Sequence, residues 1–179
     1  PTHRVIRGRP CGEDLLERLT PYARIEPLPD RDTLLARMAE PAAFSPGVTG
    51  TGRLGVYTGT DPIAAMLTVD RAATDALLEA GLSDGSKGLD VNALSVIIDR
   101  TYGADATELA ANGQLWYVKD AAAATAQVDS EEASAAFLLD EMPPSAISLV
   151  AEAGEVMPQK STYYNPKAPT GLALSPLEW

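Results

Sequence analysis

Hydrogen-bonding and cationic side chains concentrate in one loop near the end of the sequence, residues 155–171, which prolines interrupt. Lysine supplies a positive point charge, hydroxyls donate hydrogen bonds, and tyrosine offers an aromatic wall or a phenolic donor. These residue types predict a site for a small anion. An equally weighted alternative is a rigid loop whose tyrosines cover the core and whose lysines are solvated. The candidate ligand-binding residues are Lys160, Ser161, Thr162, Tyr163 and Lys167.

A second cationic group opens the chain, where His3, Arg4, Arg7 and Arg9 fall within the first nine residues. The chain as a whole is acidic, with a formal net charge of -11. A cationic pocket in an acidic protein selects a small phosphate or carboxylate, because the surrounding field repels larger polyanions. We therefore add His3 and Arg4 to the candidate site. One of them should lie within about 10 Å of Lys160, since more distant charges are largely screened.

The function predicted from these two groups is the binding of a small anionic ligand, such as a phosphate, a nucleotide or an amino-acid carboxylate. Its most concrete version is one half of a phosphotransfer-type site. No complete catalytic set accompanies the two groups, so the sequence names no catalytic residue, cofactor or reaction. The alternative, from a different class, is a non-catalytic structural or protein-interaction domain in which the loop braces the sheet.

Other patterns that suggest chemistry have simpler explanations. Residues 50–55 match the letters of the dinucleotide fingerprint GxGxxG, but a loop precedes them and a strand follows, whereas the fingerprint needs a strand before it and a helix after it. His3 is the only histidine, which excludes histidine-rich metal sites. A relay of His3, Ser161 and a carboxylate requires a fold that brings them together. Cys11 is the only cysteine, which excludes an intrachain disulfide.

Acidic residues outside these groups are typical of helix caps and solvated faces, and no metal site is predicted from them. Asp105 and Glu108 have the spacing of a capping box. Six carboxylates could supply ligands for magnesium or a general base, but helix capping and solvation explain all of them: Asp99, Asp105, Glu108, Asp120, Glu131 and Glu132.

The charge also limits the partners, because nucleic acids and anionic membranes are bound by basic faces. The sequence holds no apolar run of about 20 residues and no signal-peptide pattern. We expect a cytoplasmic protein without a membrane or nucleic-acid partner. The oligomeric state stays open.

Apolar periodicity predicts alternating strands and helices over one domain, residues 1–179. The last third shows a β-α-β-α-β pattern, for which parallel strands are the rule, while a short turn at 59–62 predicts an antiparallel hairpin. We expect an α/β domain, with α+β as the alternative, built on a mixed, partly parallel sheet flanked by helices. The predicted strands are 2–7, 22–28, 54–58, 63–69, 115–118, 135–139 and 172–174; helices are predicted around 15–19, after Asp30, and at 72–80, 90–100, 121–128 and 145–153; loops are predicted at 41–52 and 83–88.

The late loop also carries a recognisable motif, Gly154-Glu155-Val156-Met157-Pro158-Gln159-Lys160-Ser161-Thr162-Tyr163, followed by Pro166-Lys167 and Thr170-Gly171-Leu172. This motif resembles the carboxy-terminal signature of a microbial family described as domain of unknown function 1015. The opening residues 1–4 and the stretches 117–120 and 135–139 resemble the same family in the expected order.

The resemblance implies that the chain is the carboxy-terminal fragment of a longer protein, an expectation that the start at Pro1 also favours. It further implies an amino-terminal half, reminiscent of ParB-like and free-serine-kinase-like folds, as the partner of the candidate site. Two departures from the family pattern are Tyr164-Asn165, where two aromatics are usual, and Ser95, where a histidine is common. The family has no established activity.

Overall fold

The computed structural model describes residues 2–41, 50–158 and 160–161, and these residues build one six-stranded sheet with helices on both faces. The strands are β1 (His3–Ile6), β2 (Ala23–Leu28), β3 (Arg53–Thr58), β4 (Ile63–Val69), β5 (Leu115–Val118) and β6 (Ala135–Leu139). The helices are α1 (Gly12–Leu19), α2 (Arg31–Ala39), α3 (Arg71–Asp75), α4 (Asp84–Lys87), α5 (Asp90–Tyr102), α6 (Ala106–Ala111), α7 (Ala121–Asp129) and α8 (Pro144–Glu152). Within these described ranges, no helix is long and apolar enough to span a bilayer.

The sheet has the strand order β2-β4-β3-β6-β1-β5, and each neighbouring pair is antiparallel. The predicted α/β class with a partly parallel sheet is therefore wrong, and the fold is α+β. β5 and β6, joined by α7, do run in the same direction, as a crossover connection requires. However, β1 lies between them and is antiparallel to both, with Val5 opposite Trp116 on one side and Ala136 on the other.

Both faces of the sheet are packed, because alternate residues of each strand point to opposite sides. The front face carries Ile6, Val56 and Phe137 beneath α1, α5 and α6. The back face carries Val5 and Leu138 beneath α2 and α7. An antiparallel sheet with one wet face would show alternation of apolar and polar residues, but here both faces are dry, so the strands show apolar runs typical of parallel sheets.

Local signals in the sequence are confirmed at several helix starts. The carboxylate of Asp30 accepts from the backbone N–H of Thr33, and that of Asp120 accepts from Ala123. Asp105 accepts from two backbone N–H groups at the start of α6. The hairpin predicted from the turn at 59–62 is confirmed as the antiparallel pair β3–β4.

The segment between β4 and α5 differs from the prediction. The helix expected at 72–80 is confined to α3, and the turn expected at 83–88 contains α4. A tertiary contact fastens this short helix: the Glu155 carboxylate accepts from the Ser86 hydroxyl and from the N–H and hydroxyl of Ser83 at 2.6 and 2.8 Å. These hydrogen bonds, that of Ser86 first, lower the pKa of Glu155. The strand predicted at 172–174 lies outside the described residues.

Candidate functional site

The amino-terminal segment and the late loop meet at one end of the sheet, where β1 begins and β5 and β6 end. The Thr2 hydroxyl donates to the backbone carbonyl of Lys160. Thr2 immediately precedes His3 and Arg4 in the sequence. The contact therefore places the Lys160 backbone at the start of β1. The shared site of the two cationic groups stays a prediction, since this contact uses the Lys160 backbone and not its charged side chain.

Arg4 is the most unusual side chain at this end, because it is a cation with only 4% of its surface exposed. Its Nη1 donates to the Thr2 carbonyl at 2.5 Å, and its guanidinium carbon lies 5.3 Å from the centroid of the Tyr117 ring. No ion pair with a carboxylate of the described ranges involves Arg4. Burial lowers the pKa of Arg4, although an arginine stays charged at neutral pH.

The described part of the late loop ends at Ser161, one residue after the contact of Lys160 with Thr2. Lys160 has an exposed side chain and a backbone φ of 61°, a left-handed conformation uncommon for residues other than glycine. Ser161 is buried, and its hydroxyl donates to the Pro158 carbonyl. The remaining candidate residues, Thr162, Tyr163 and Lys167, lie outside the described residues.

His3 is separated from Arg4 by the sheet, since neighbouring residues of a strand point to opposite faces. His3 lies on the back face with Val5, and its Nδ1 accepts from the backbone N–H of Leu139 at 3.2 Å. Burial, helped by the positive charge of Arg4, lowers the pKa of His3 to about 4. The ring is therefore neutral at pH 7 and carries its proton on Nε2. The structure thus divides the predicted group, placing Arg4 with the front face and His3 with the back.

The hypothetical relay of His3 and Ser161 gains no support from the described contacts. The His3 Nδ1 is occupied by Leu139, and the Ser161 hydroxyl by Pro158. Within residues 2–41, 50–158 and 160–161, no group of three or more His, Cys, Asp or Glu side chains is arranged to hold a metal ion.

A cavity of about 640 Å³ lies on the back face beside His3, and we call it the α2–α7 cavity. Leu35 and Met38 of α2 form one wall, and Ala121 at the start of α7 lies on another. Glu40 and Glu141 also line it. The cavity lies at the same end of the sheet as the contact between Thr2 and Lys160, but on the face opposite Arg4.

A buried polar network, which we call the Asp90 latch, was missed from the sequence. The Asp90 carboxylate accepts from the N–H groups of Thr51 and Gly52, each at 2.8 Å, and is paired with Arg71. The Thr51 hydroxyl bridges Asp90 and Asp140 at 3.1 and 2.8 Å.

Arg53 completes the network by donating to both oxygens of Asp140 at 2.8 and 2.6 Å. The signal in the sequence was Gly50-Thr51-Gly52. A Cβ on Gly50 would lie 2.6 Å from an Asp90 oxygen, and Gly52 has a φ of 70°. The glycines allow the loop backbone to pass close to the Asp90 carboxylate, and a strand, β3, follows them. The match to the dinucleotide fingerprint is therefore accidental, as expected.

Comparison with known proteins found no relative of this chain. No family model, no curated protein and no solved structure matches the chain. The resemblance to domain of unknown function 1015 therefore stays a prediction, and the site has to be interpreted from its own chemistry.

Proposed function

We propose that this protein binds a small anion, a carboxylate or a phosphate, between Arg4 and the loop that carries Lys160 and Ser161. The observation that supports the proposal most strongly is the burial of the Arg4 guanidinium without a carboxylate partner among the described residues. The proposal concerns binding, and no residue is assigned a catalytic step.

The energetic argument starts from the cost of burying a charge. Removing a cation from water costs several kcal/mol even after the protein relaxes, and that cost is usually offset by a counterion. The described hydrogen bonds of Arg4 use Nη1 alone, with the carbonyl and hydroxyl of Thr2 as acceptors. A guanidinium has five N–H donors arranged to bind planar carboxylates or phosphates with two hydrogen bonds. A bound anion would supply the acceptors and the opposite charge together.

The neighbouring residues suit the same ligand. Lys160 is exposed, and its contact with Thr2 uses the backbone carbonyl, so its ammonium group is not needed for that bond. The Arg4 guanidinium lies over the Tyr117 ring, where the face of the ring favours a cation. With a net charge of -11 on the whole chain, a cationic position of this kind favours small anions over nucleic acids.

The decisive variant is Arg4→Met, with Arg100→Met as the control because Arg100 is exposed and lies 3.9 Å from Asp99 in a weak pair. Thermal unfolding is measured in chloride alone and with added phosphate, malonate or ATP. We expect at least one of these anions to stabilise the wild type and the control by about 3 kcal/mol at a hundredfold excess over Kd, which is about 5–10 °C for a chain of this size. Arg4→Met should lose that shift.

The same variant tests the proposal in the absence of ligand. If Arg4 is kept for binding, Arg4→Met should be as stable as the wild type in chloride, or more stable, because a buried charge has been removed. Lys160→Ala preserves the backbone acceptor of Thr2 and should weaken anion binding without changing the ligand-free stability. An anion shift that survives in Arg4→Met would contradict the proposal.

A second candidate function is the non-catalytic structural domain. It is favoured by a chain of contacts that runs from the loop to Thr2, from Thr2 to Arg4, and from Arg4 to Tyr117 of the sheet. In that case Arg4 braces the fold. Arg4→Met would then lower the melting temperature in chloride, and none of the three anions would stabilise the wild type.

A further inference from the structure

The α2–α7 cavity combines a size suited to a small organic molecule with walls of two different characters. Its volume of about 640 Å³ falls in the range of roughly 300–1,000 Å³ that is typical of small-molecule sites. Leu35, Met38 and Ala121 supply apolar surface, and His3 is a buried polar side chain in the lining. An apolar ligand body would be desolvated by this surface.

The charged groups of the lining are predominantly carboxylates. Within the described lining there is one cation, Lys119, and there are four carboxylates: Glu40, Asp120, Asp140 and Glu141. The Asp140 carboxylate is already neutralised by the two hydrogen bonds from Arg53. Glu40 also has a partner, because its carboxylate lies 4.0 Å from Arg37 Nε. Set against Lys119 and Arg37, the carboxylates of Glu40, Asp120 and Glu141 leave the cavity with an excess of one negative charge.

We propose that the α2–α7 cavity binds an amphipathic organic cation, an amine with an apolar body. The body packs against Leu35 and Met38, and the ammonium group lies near the carboxylates of Glu40 and Glu141. His3 is neutral at pH 7 and adds no repulsion. This site is independent of the anion site, because it lies on the opposite face of the sheet from Arg4.

A series of three probes with the same six-carbon body tests the charge preference: hexylammonium, 1-hexanol and hexanoate, each titrated at constant ionic strength. Backbone amide NMR shifts of Leu35 and Ala121 report on the cavity, while those of Tyr117 report on the Arg4 face. We expect hexylammonium to bind the cavity more tightly than hexanol, and hexanoate to bind there most weakly. Hexanoate that shifts Tyr117 alone would be occupying the anion site.

The critical variant is the double substitution Glu40→Gln and Glu141→Gln, which changes two exposed side chains and leaves the core intact. Its control is Glu79→Gln with Glu152→Gln, which removes the same net charge at exposed positions outside the lining. Exposed ion pairs are weak, so we expect hexylammonium to bind the critical variant about 3- to 10-fold less tightly. Hexanol binding should be unchanged, and the control should behave as wild type.

Three results would overturn the proposal. One is that hexanoate binds the cavity as well as hexylammonium; another is that the two double variants weaken the amine equally; the third is that none of the probes shifts Leu35 or Ala121. Met38→Trp provides a second measurement, since the larger ring should fill the cavity and weaken all three probes. If that variant fails to fold, the comparison of the two double variants decides alone.

Discussion

Replacing Asp90 by alanine should be among the most damaging single changes at the end of the sheet. Asp90 begins α5, and its carboxylate holds the loop that leads into β3. The side chain is buried, with a residue exposure of 8%. Alanine removes the acceptor of the Thr51 and Gly52 backbone N–H groups, and it leaves the helix otherwise intact.

The magnitude follows from what each partner can do after the change. The Thr51 and Gly52 N–H groups lose their 2.8 Å acceptor, and a buried donor without a partner costs about 1–3 kcal/mol. The Thr51 hydroxyl keeps its 2.8 Å bond to Asp140, and Arg71 has 28% of its side chain exposed, so both lose little. Two donors without an acceptor therefore set the cost at about 2–6 kcal/mol. That is a large part of the roughly 5–15 kcal/mol by which domains are stable.

Urea denaturation of Asp90→Ala measures this cost as a fall in the midpoint at an unchanged slope. Asp99→Ala is the matched control, because Asp99 lies on the same helix with 49% of its side chain exposed, and it should change stability by less than about 0.5 kcal/mol. Hydrogen exchange should also accelerate at the Thr51 and Gly52 amides. A loss below about 1 kcal/mol, or unchanged exchange at both amides, would refute the assignment of the latch.

Two further predictions concern the same end of the molecule. Gly50→Ala should destabilise the protein by about 1–3 kcal/mol, because its Cβ would lie 2.5 Å from the Gly88 carbonyl, whereas Gly85→Ala meets nothing closer than 3.5 Å and should be neutral or stabilising in urea denaturation. His3 has a pKa of about 4 in the fold against 6.5 when unfolded, so the unfolded chain takes up the proton first as the pH falls. Stability should therefore fall between about pH 6.5 and 4, and the loss from pH 7 to 5 should be about 1–2 kcal/mol greater in wild type than in His3→Gln. Equal losses in the two proteins would contradict the low pKa.

Much of the local structure was predictable because its causes are local. Asp30 and Asp120 cap the helices that follow them, since a capping carboxylate bonds N–H groups two or three residues away. The β3–β4 hairpin is fixed by a short turn. By contrast, α4 depends on Glu155, a residue about seventy positions further along the chain, so its own sequence favoured only a turn.

For the candidate site, the sequence predicted that the late loop and the first strand share an anion site, and that shared site stays a prediction. The described contact joins the Thr2 hydroxyl to the backbone carbonyl of Lys160, so it does not involve the lysine charge. The separation of His3 from Arg4 was available in the sequence, because adjacent residues of a strand point to opposite faces. The burial of Arg4 could not be predicted from the sequence, because it depends on Tyr117 in a strand more than a hundred residues away.

The sequence by itself determined most of the described strands and the longer helices, where several of them begin, and which residue types gather near the two ends of the chain. It did not determine the short helices α4 and α6. Only the tertiary structure decided the order of the strands. The insertion of β1 between β5 and β6 makes the sheet antiparallel, and it also places Arg4 beside Tyr117 and His3 beside the α2–α7 cavity. The physical reason is that caps and turns act over a few residues, whereas strand partners are selected by packing between segments far apart in the chain.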